Sequence, residues 1–184
     1  MVEKYSKVAV VLHWIVAALI LLNLWIGLRF DETPKDALRA AIDLHKSLGL
    51  TVLGLVVLRL LWRAANKPPA PLAGLAPWER VLSIGTHHVL YALIVLVPLT
   101  GWLHDSAWKD APSHPLSLYG VVPFFRLPFF NGLNDAGKDH WHDILGGIHT
   151  ATAYLILAAV ALHILGALKH QFLDRQKELQ RMWF

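Results

Sequence analysis

Four histidines near the end of the chain, His142, His149, His163 and His170, stand 7, 14 and 7 residues apart. At about 100° per residue, a 14-residue step ends roughly 40° short of four full turns, so all four share one helical stripe. His149 and His163 fall within a long apolar run, about 21 Å apart at the helical rise. An ionisable side chain at membrane depth is expensive and marks function by default. Imidazole is also the commonest metal-ligating side chain. Two such histidines, one toward each face, point to two bound metal centres at two depths.

The elements that must position them are apolar and long. The chain has 184 residues, 55% hydrophobic and only 16% charged, with mean hydropathy +0.45. Soluble proteins carry roughly 25% charged residues. Apolar runs at 8–28, 42–61, 81–103 and 144–168 meet the need of about 20 helical residues for crossing a bilayer core. The expected fold is all-α, an integral membrane four-helix bundle forming a single domain over 1–184. The first run exceeds the usual signal core of about 7–15 residues and lacks a small-residue cleavage site, so it reads as a retained helix. The absence of cysteine excludes disulfides, iron–sulfur ligation and covalent haem attachment.

Charge sets the expected orientation. The side holding both termini and the connection between the second and third runs carries Lys4, Lys7, Arg59, Arg63, Lys67, Arg80, Lys169, Arg175, Lys177 and Arg181 against four acids. The opposite side has seven basic and nine acidic residues. The positive-inside rule then places both termini in the cytoplasm, with a long periplasmic connection between helices 3 and 4. The net charge of +4 therefore reflects orientation and lipid contact, with no nucleic-acid footprint.

Local signals predict helix ends beyond the bilayer. Thr33, Pro34 and Asp36 read as the cap and first turn of helix 2. Lys67-Pro68-Pro69-Ala70-Pro71 reads as its stop, and Pro77 with Glu79 as the start of helix 3. Pro98 is expected to kink helix 3. Helix 4 is expected from Asp135 to Leu179. The aromatic connection over 104–134 reads either as an interfacial belt or as a lid over an outer centre; His104, His114 and His140 read as loop residues.

Iron with two axial imidazoles requires ligands from two helices at one depth. His13 and His163 both lie five or six residues from the cytoplasmic side, while His45 and His149 lie at matching distances from the outer side. The expected pairs are His13–His163 for an inner haem and His45–His149 for an outer one. Gly49, Gly146 and Gly147 are expected to let a flat macrocycle approach the helices. His87 is an alternative inner ligand or a polar neighbour of the haem or a quinone. His170 and His142 are end positions, where propionate or quinone contacts compete with simple solvation. Arg59 and Arg63 are candidate inner propionate or quinone partners, and Lys46 and Arg39 outer ones, against ordinary interfacial anchoring.

The motifs Leu12-His13-Trp14, Leu44-His45-Lys46-Ser47-Leu48-Gly49, Leu58-Arg59-Leu60-Leu61-Trp62-Arg63, His87-His88-Val89-Leu90-Tyr91 and Lys169-His170-Gln171-Phe172, with His149 and His163, resemble the bacterial four-helix cytochrome b561 family over essentially the whole chain. The resemblance implies two haem b groups with paired histidine ligands in a bacterial inner membrane, and electron exchange with the quinone pool, including a bound ubiquinone. It extends to a superoxide-oxidising enzyme that reduces ubiquinone, and to electron-transfer subunits serving a periplasmic donor protein or a larger dehydrogenase. A histidine-lined metal or proton transporter is the remote competitor, disfavoured because the apolar interiors of the spans contain no carboxylate. The sequence leaves the oligomeric state open.

Overall fold

The computed structural model describes residues 3–70 and 76–183; Pro71, the last residue of the expected helix 2 stop, lies outside them. Four long helices form the bundle: α1 (Lys7–Leu28), α2 (Lys35–Ala65), α3 (Pro77–Ala107) and α4 (Asp135–Leu168). Each contains a window long and apolar enough to cross a membrane. A short α5 (Glu178–Arg181) follows a π-helical turn, Lys169–Leu173. α1 packs on α2, α2 on α3, and α3 most extensively on α4.

The starts of these helices are capped as their sequences dictate, with one exception. Ser6 caps α1 and Asn134 caps α4, the latter accepting from Gly137 N–H at 2.8 Å. At α3, Pro77 takes the first turn, and the Glu79 carboxylate accepts from the Ala76 N–H at 3.0 Å. The exception is Thr33. Its hydroxyl donates back to Arg29 O at 2.7 Å, closing the preceding turn, and α2 starts after Pro34 without a side-chain cap. Pro98 sits within a continuous α3.

The core is a thin apolar layer between the two histidine depths. Val16, Val52, Val56, Leu93, Ile94 and Ile156 form its buried cluster, with contributions from all four helices. Ile156 is 2% exposed and lies seven residues from both His149 and His163. It therefore occupies the same stripe, midway between them. Large apolar side chains such as Leu21, Trp25, Leu61 and Leu165 face outward, as required where lipid is the solvent.

At the end opposite the termini, the 108–134 connection is stitched to the helices. The buried Asp105 carboxylate of α3 pairs with Lys46 of α2 and with Arg126 of the connection. Arg126 also donates to Ala111 O and His114 O. A small hairpin, β1 (Ser117–Leu118) against β2 (Val122–Pro123), turns through Tyr119 and Gly120, both at positive φ. Gly120 is suited to that turn, while Tyr119 tolerates the strained position because its N–H donates to Ser47 Oγ and its hydroxyl meets Thr51 Oγ1 at 2.7 Å. The connection is thus a cap fixed to α2 and α3.

At the termini end, the expectation that helix 4 continues to Leu179 is corrected. The chain widens into the π-turn, breaks at Arg175 (φ 53), and folds back. The buried Arg181 guanidinium donates to Glu3 O and Ala70 O, and Trp14 Nε1 donates to Met182 O at 2.8 Å. Lys169 bridges Glu79 at 2.6 Å and Asp174 at 2.8 Å, and His170 Nδ1 meets Asp174 at 2.7 Å. Satisfying these groups favours reversal over another turn of helix.

Two measurements test these ends. Replacing Asp105 with Asn leaves Lys46 and Arg126 without their shared counter-charge, a change that costs about 3 kcal/mol in buried pairs. The apparent melting temperature in detergent should fall by several degrees; an unchanged midpoint would contradict this account of the cap. At the other end, Lys169 and then His170 hold the Asp174 carboxyl below its ordinary value of 3.8. Its contribution is complete above that value and disappears as pH falls through the lower folded value. Amide protection over 169–182, corrected for the intrinsic exchange rate at each pH, should fall in that acid range, and unchanged protection would contradict the role given to Asp174.

Candidate functional site: two imidazole pairs at two depths

The π-systems of four histidines meet in two pairs. The His45 and His149 rings have centroids 6.0 Å apart, and those of His13 and His163 are 6.2 Å apart. Two imidazoles bound on opposite sides of one metal at about 2 Å per bond place their centroids roughly 6 Å apart. Both separations match that requirement. His87 also approaches His163, but at 5.2 Å, which is tight for an intervening metal. Its Nδ1 donates to Ser83 O one turn back on its own helix.

The pair nearer the cap is the more fully oriented. His45 Nδ1 donates to Asn23 O at 3.1 Å, and His149 Nδ1 donates to Val97 O at 2.9 Å. A carbonyl can only accept, so these bonds place the proton on Nδ1 and leave Nε2 bare. That is the tautomer a metal-binding histidine requires, held by a partner on a neighbouring helix. Thr100 Oγ1 lies 3.3 Å from His149 Nδ1. No comparable backbone partner holds His13 or His163 among the described residues.

Glycines create the space for the rings, and the important ones differ from those the sequence suggested. A Cβ at Gly27 would lie 2.9 Å from His45 Cε1, and one at Gly101 would lie 3.0 Å from His149 Cε1. Gly49 and Gly146 line the cavity beside this pair; Gly147 does not. The cavity measures about 500 Å³, within the range of roughly 300–1,000 Å³ for cofactor sites. It runs from Val52 and Ile156 in the core layer to Arg39, Lys46 and Trp108 under the cap. The Asn23 side-chain oxygen on its wall is buried without a partner among the described residues. A largely apolar cavity, two bare nitrogens and an unsatisfied polar atom fit a flat metal-bearing macrocycle.

The expected propionate partners divide by depth. Lys46 and Arg39 line this cavity but are already paired, with Asp105 and Asp43 respectively. Arg59 and Arg63 line a second cavity of about 500 Å³ at the termini end, with Trp62 and Tyr91. Arg59 donates to Ala9 O at 3.2 Å, one turn before His13, and Arg63 lies over the Tyr91 ring. Neither arginine pairs with a carboxylate among the described residues. Glu79, His170 and Asp174 cluster closely enough to suggest a cation site, but the Lys169 ammonium already supplies the positive charge there.

Sequence reasoning missed one feature. His104 belongs to α3 and His140 to α4, which corrects their assignment to a loop. His104 and His142 stack at 3.8 Å and 21°, bridging α3 and α4 above the His45–His149 pair. The heptad step from His149 to His142 was visible, but the α3 partner depends on how α3 packs.

The fold and these pairs define a four-helix membrane protein with a pair of neighbouring imidazoles at each of two depths. The family model of prokaryotic cytochrome b561 matches residues 4–184. The chain is 30% identical to cytochrome b561 homolog 2 of Escherichia coli, covering 98% of this chain and 91% of that protein. It is also 31% identical to cytochrome b562 of Cereibacter sphaeroides, over 64% of this chain and 78% of that one. A more distant relative, the probable superoxide oxidase CybB of Yersinia pestis, is 23% identical over 98% and 96%. The chain belongs to the prokaryotic cytochrome b561 family. It is a multi-pass protein of a bacterial inner membrane, and its family carries b-type haem.

The glycine contacts yield a test. Gly101→Ala should displace the His149 ring, lowering the haem bound per purified chain while the α-helical circular dichroism stays unchanged. Full haem occupancy in Gly101→Ala would show that the ring can shift without losing its ligand geometry.

Proposed function

We propose that this protein is a dihaem b-type cytochrome that moves electrons across the inner membrane and exchanges them with the quinone pool. The observation that carries this reading is the pair of ring separations, 6.0 and 6.2 Å, on opposite sides of the Ile156 layer. His45 and His149 would hold the outer haem, and His13 and His163 the inner one. The haem supplies one-electron redox chemistry; the protein supplies ligands, orientation and a dry surround.

The chain's own residues would divide the remaining work. Asn23 O and Val97 O fix the outer ligand tautomers. Gly27 and Gly101 leave room for the rings. Arg59 and Arg63 would meet the inner propionates, supported by their lack of carboxylate partners. His87, beside His163, would be a polar neighbour of the inner haem. His170, held by Asp174 at the end of the α4 stripe, would face the quinone-exchange side. The excess of basic residues supports placing both termini in the cytoplasm and the cap in the periplasm.

A second reading is superoxide oxidation with ubiquinone reduction. It draws on the distant relative's name and on the capped end of the cavity, where Arg39, Lys46 and Arg126 stand against Asp43 and Asp105. That local balance would favour an anion, despite the acidic excess on the outer side as a whole.

Single-ligand variants test the depth assignment. His149→Ala should remove only the outer haem and His163→Ala only the inner one, each halving haem per chain. His45→Ala should reproduce the first spectrum and His13→Ala the second. If His149→Ala and His163→Ala lose the same spectral component, the pairing is wrong. If His87→Ala, and not His13→Ala, removes the inner component, the inner ligand must be reassigned.

A further inference from the structure

The β1–β2 hairpin has no part in the reading above, and its chemistry is unlike that of the rest of the cap. From Pro115 to Phe125 the chain carries no charged residue. Arg126, which ends this stretch, turns inward to Asp105. The side chains at and after the turn are nevertheless bare: Val121 is 79% exposed, Val122 53% and Phe125 59%. A cluster of large apolar groups left uncovered marks a surface made for an apolar neighbour.

Depth identifies that neighbour. Tyr119 N–H donates to Ser47 Oγ, and the Tyr119 hydroxyl meets Thr51 Oγ1. Ser47 and Thr51 follow His45 by two and six residues along α2, about 3 and 9 Å further toward the middle of the bundle. Counted from Ile42, where the apolar run of α2 begins, they lie about 7.5 and 13.5 Å inside it, within the half-thickness of about 15 Å of a bilayer core. On the other flank, Trp102 Nε1 donates to Phe125 O at 3.0 Å from within the apolar run of α3. A soluble partner does not reach this depth, whereas lipid does: Leu21, seven residues from the end of α1, faces outward at a comparable level. The backbone suits such a solvent. Val121 N–H donates to Leu118 O within the turn, Phe124 N–H donates to Leu116 O, and Pro123 has no N–H to satisfy.

We infer that the hairpin over 115–125 is a re-entrant element, sunk into the leaflet on the capped side with Val121, Val122 and Phe125 against lipid acyl chains. Leu116, at its root, is buried and lines the cavity of the His45–His149 pair. The hairpin thus presents Leu116 to the cavity and its valines to the lipid, walling one from the other beside α2 and α3. This placement follows from the spans and the hairpin's own contacts and is independent of the haem count. An irregular segment is tolerated at that depth because its turn is tied to α2 by both the Tyr119 N–H and the Tyr119 hydroxyl.

The chain has no cysteine, so a nitroxide label can be attached at one chosen position of the full-length, haem-loaded protein in phosphatidylcholine bilayers. Labels at Val121→Cys and, separately, Val122→Cys are compared with Leu21→Cys on the outward face of α1 and Asp110→Cys near the start of the same connection. Two agents report the surroundings: oxygen, which concentrates in hydrocarbon, and a neutral polar nickel chelate, which is excluded from it. Each collision rate is taken against the same sample under nitrogen, which removes the contribution of the haem iron. The oxygen-to-nickel ratio at both hairpin positions should match that at Leu21→Cys and exceed that at Asp110→Cys by about tenfold. A ratio near that of Asp110→Cys at either hairpin position places the hairpin in water and overturns the inference. Slow collisions with both agents overturn it as well, because they show the hairpin covered by protein, whether a second copy or another partner. Haem per chain and circular dichroism, unchanged from the unlabelled protein, identify the variants whose fold is intact. The second hairpin position keeps the test decisive if one label disturbs the turn.

Discussion

An imidazole buried among lipid-facing helices needs a defined partner for each nitrogen, and the rest of this bundle is arranged around that requirement. At the capped depth the requirement is met on the Nδ1 side by two carbonyls from neighbouring helices, Asn23 O and Val97 O. The first ties α2 to α1, and the second ties α4 to α3. Helix packing and ligand orientation are therefore the same interaction seen from two directions. Gly27 and Gly101 follow from it, because a ring donating to a carbonyl on the next helix must lie against that helix's backbone.

The second consequence is the spacing of layers. Ile156 lies between His149 and His163 on one stripe, in a cluster drawn from all four helices. This apolar layer separates the two ring pairs and leaves the ends of the bundle to polar chemistry. The ends are built differently. Around Asp105 a buried carboxylate gathers Lys46 and Arg126 and fixes the connection as a cap. Around Arg181 a buried guanidinium gathers backbone carbonyls from the segment before α1 and the segment after α2. Each makes one chain end or connection part of the bundle's wall.

Much of this was legible in the sequence because membrane helices carry strong signals. Long apolar runs gave the spans, and the starts at Pro77 and Asp135 matched their local chemistry. Heptad spacing and distance from the helix ends point to the rings that the structure sets 6.0 and 6.2 Å apart, because depth is additive along a straight helix. Depth alone does not give rotation. Gly147 does not line the ligand space its sequence position suggests, while Gly27 and Gly101 on other helices make room for the His45 and His149 rings. Thr33 was read as a cap, but its hydroxyl found a closer acceptor in Arg29 O. The reversal after Leu173 is held by distant partners of Arg181, Glu3 O near the start of the chain and Ala70 O after α2. His104 was legible as a histidine but not as a partner of His142, because their meeting is a property of α3–α4 packing.

The central claim is that each chain holds two haems, each between two imidazoles. The direct measurement is the reduced pyridine-haemochrome spectrum of the purified protein, with haem and protein quantified in the same sample, together with low-temperature electron paramagnetic resonance of the oxidised form. The account predicts two b-type haems per chain, both low-spin with two nitrogenous axial ligands. One haem per chain, or a high-spin five-coordinate centre at either depth in the intact protein, would contradict it.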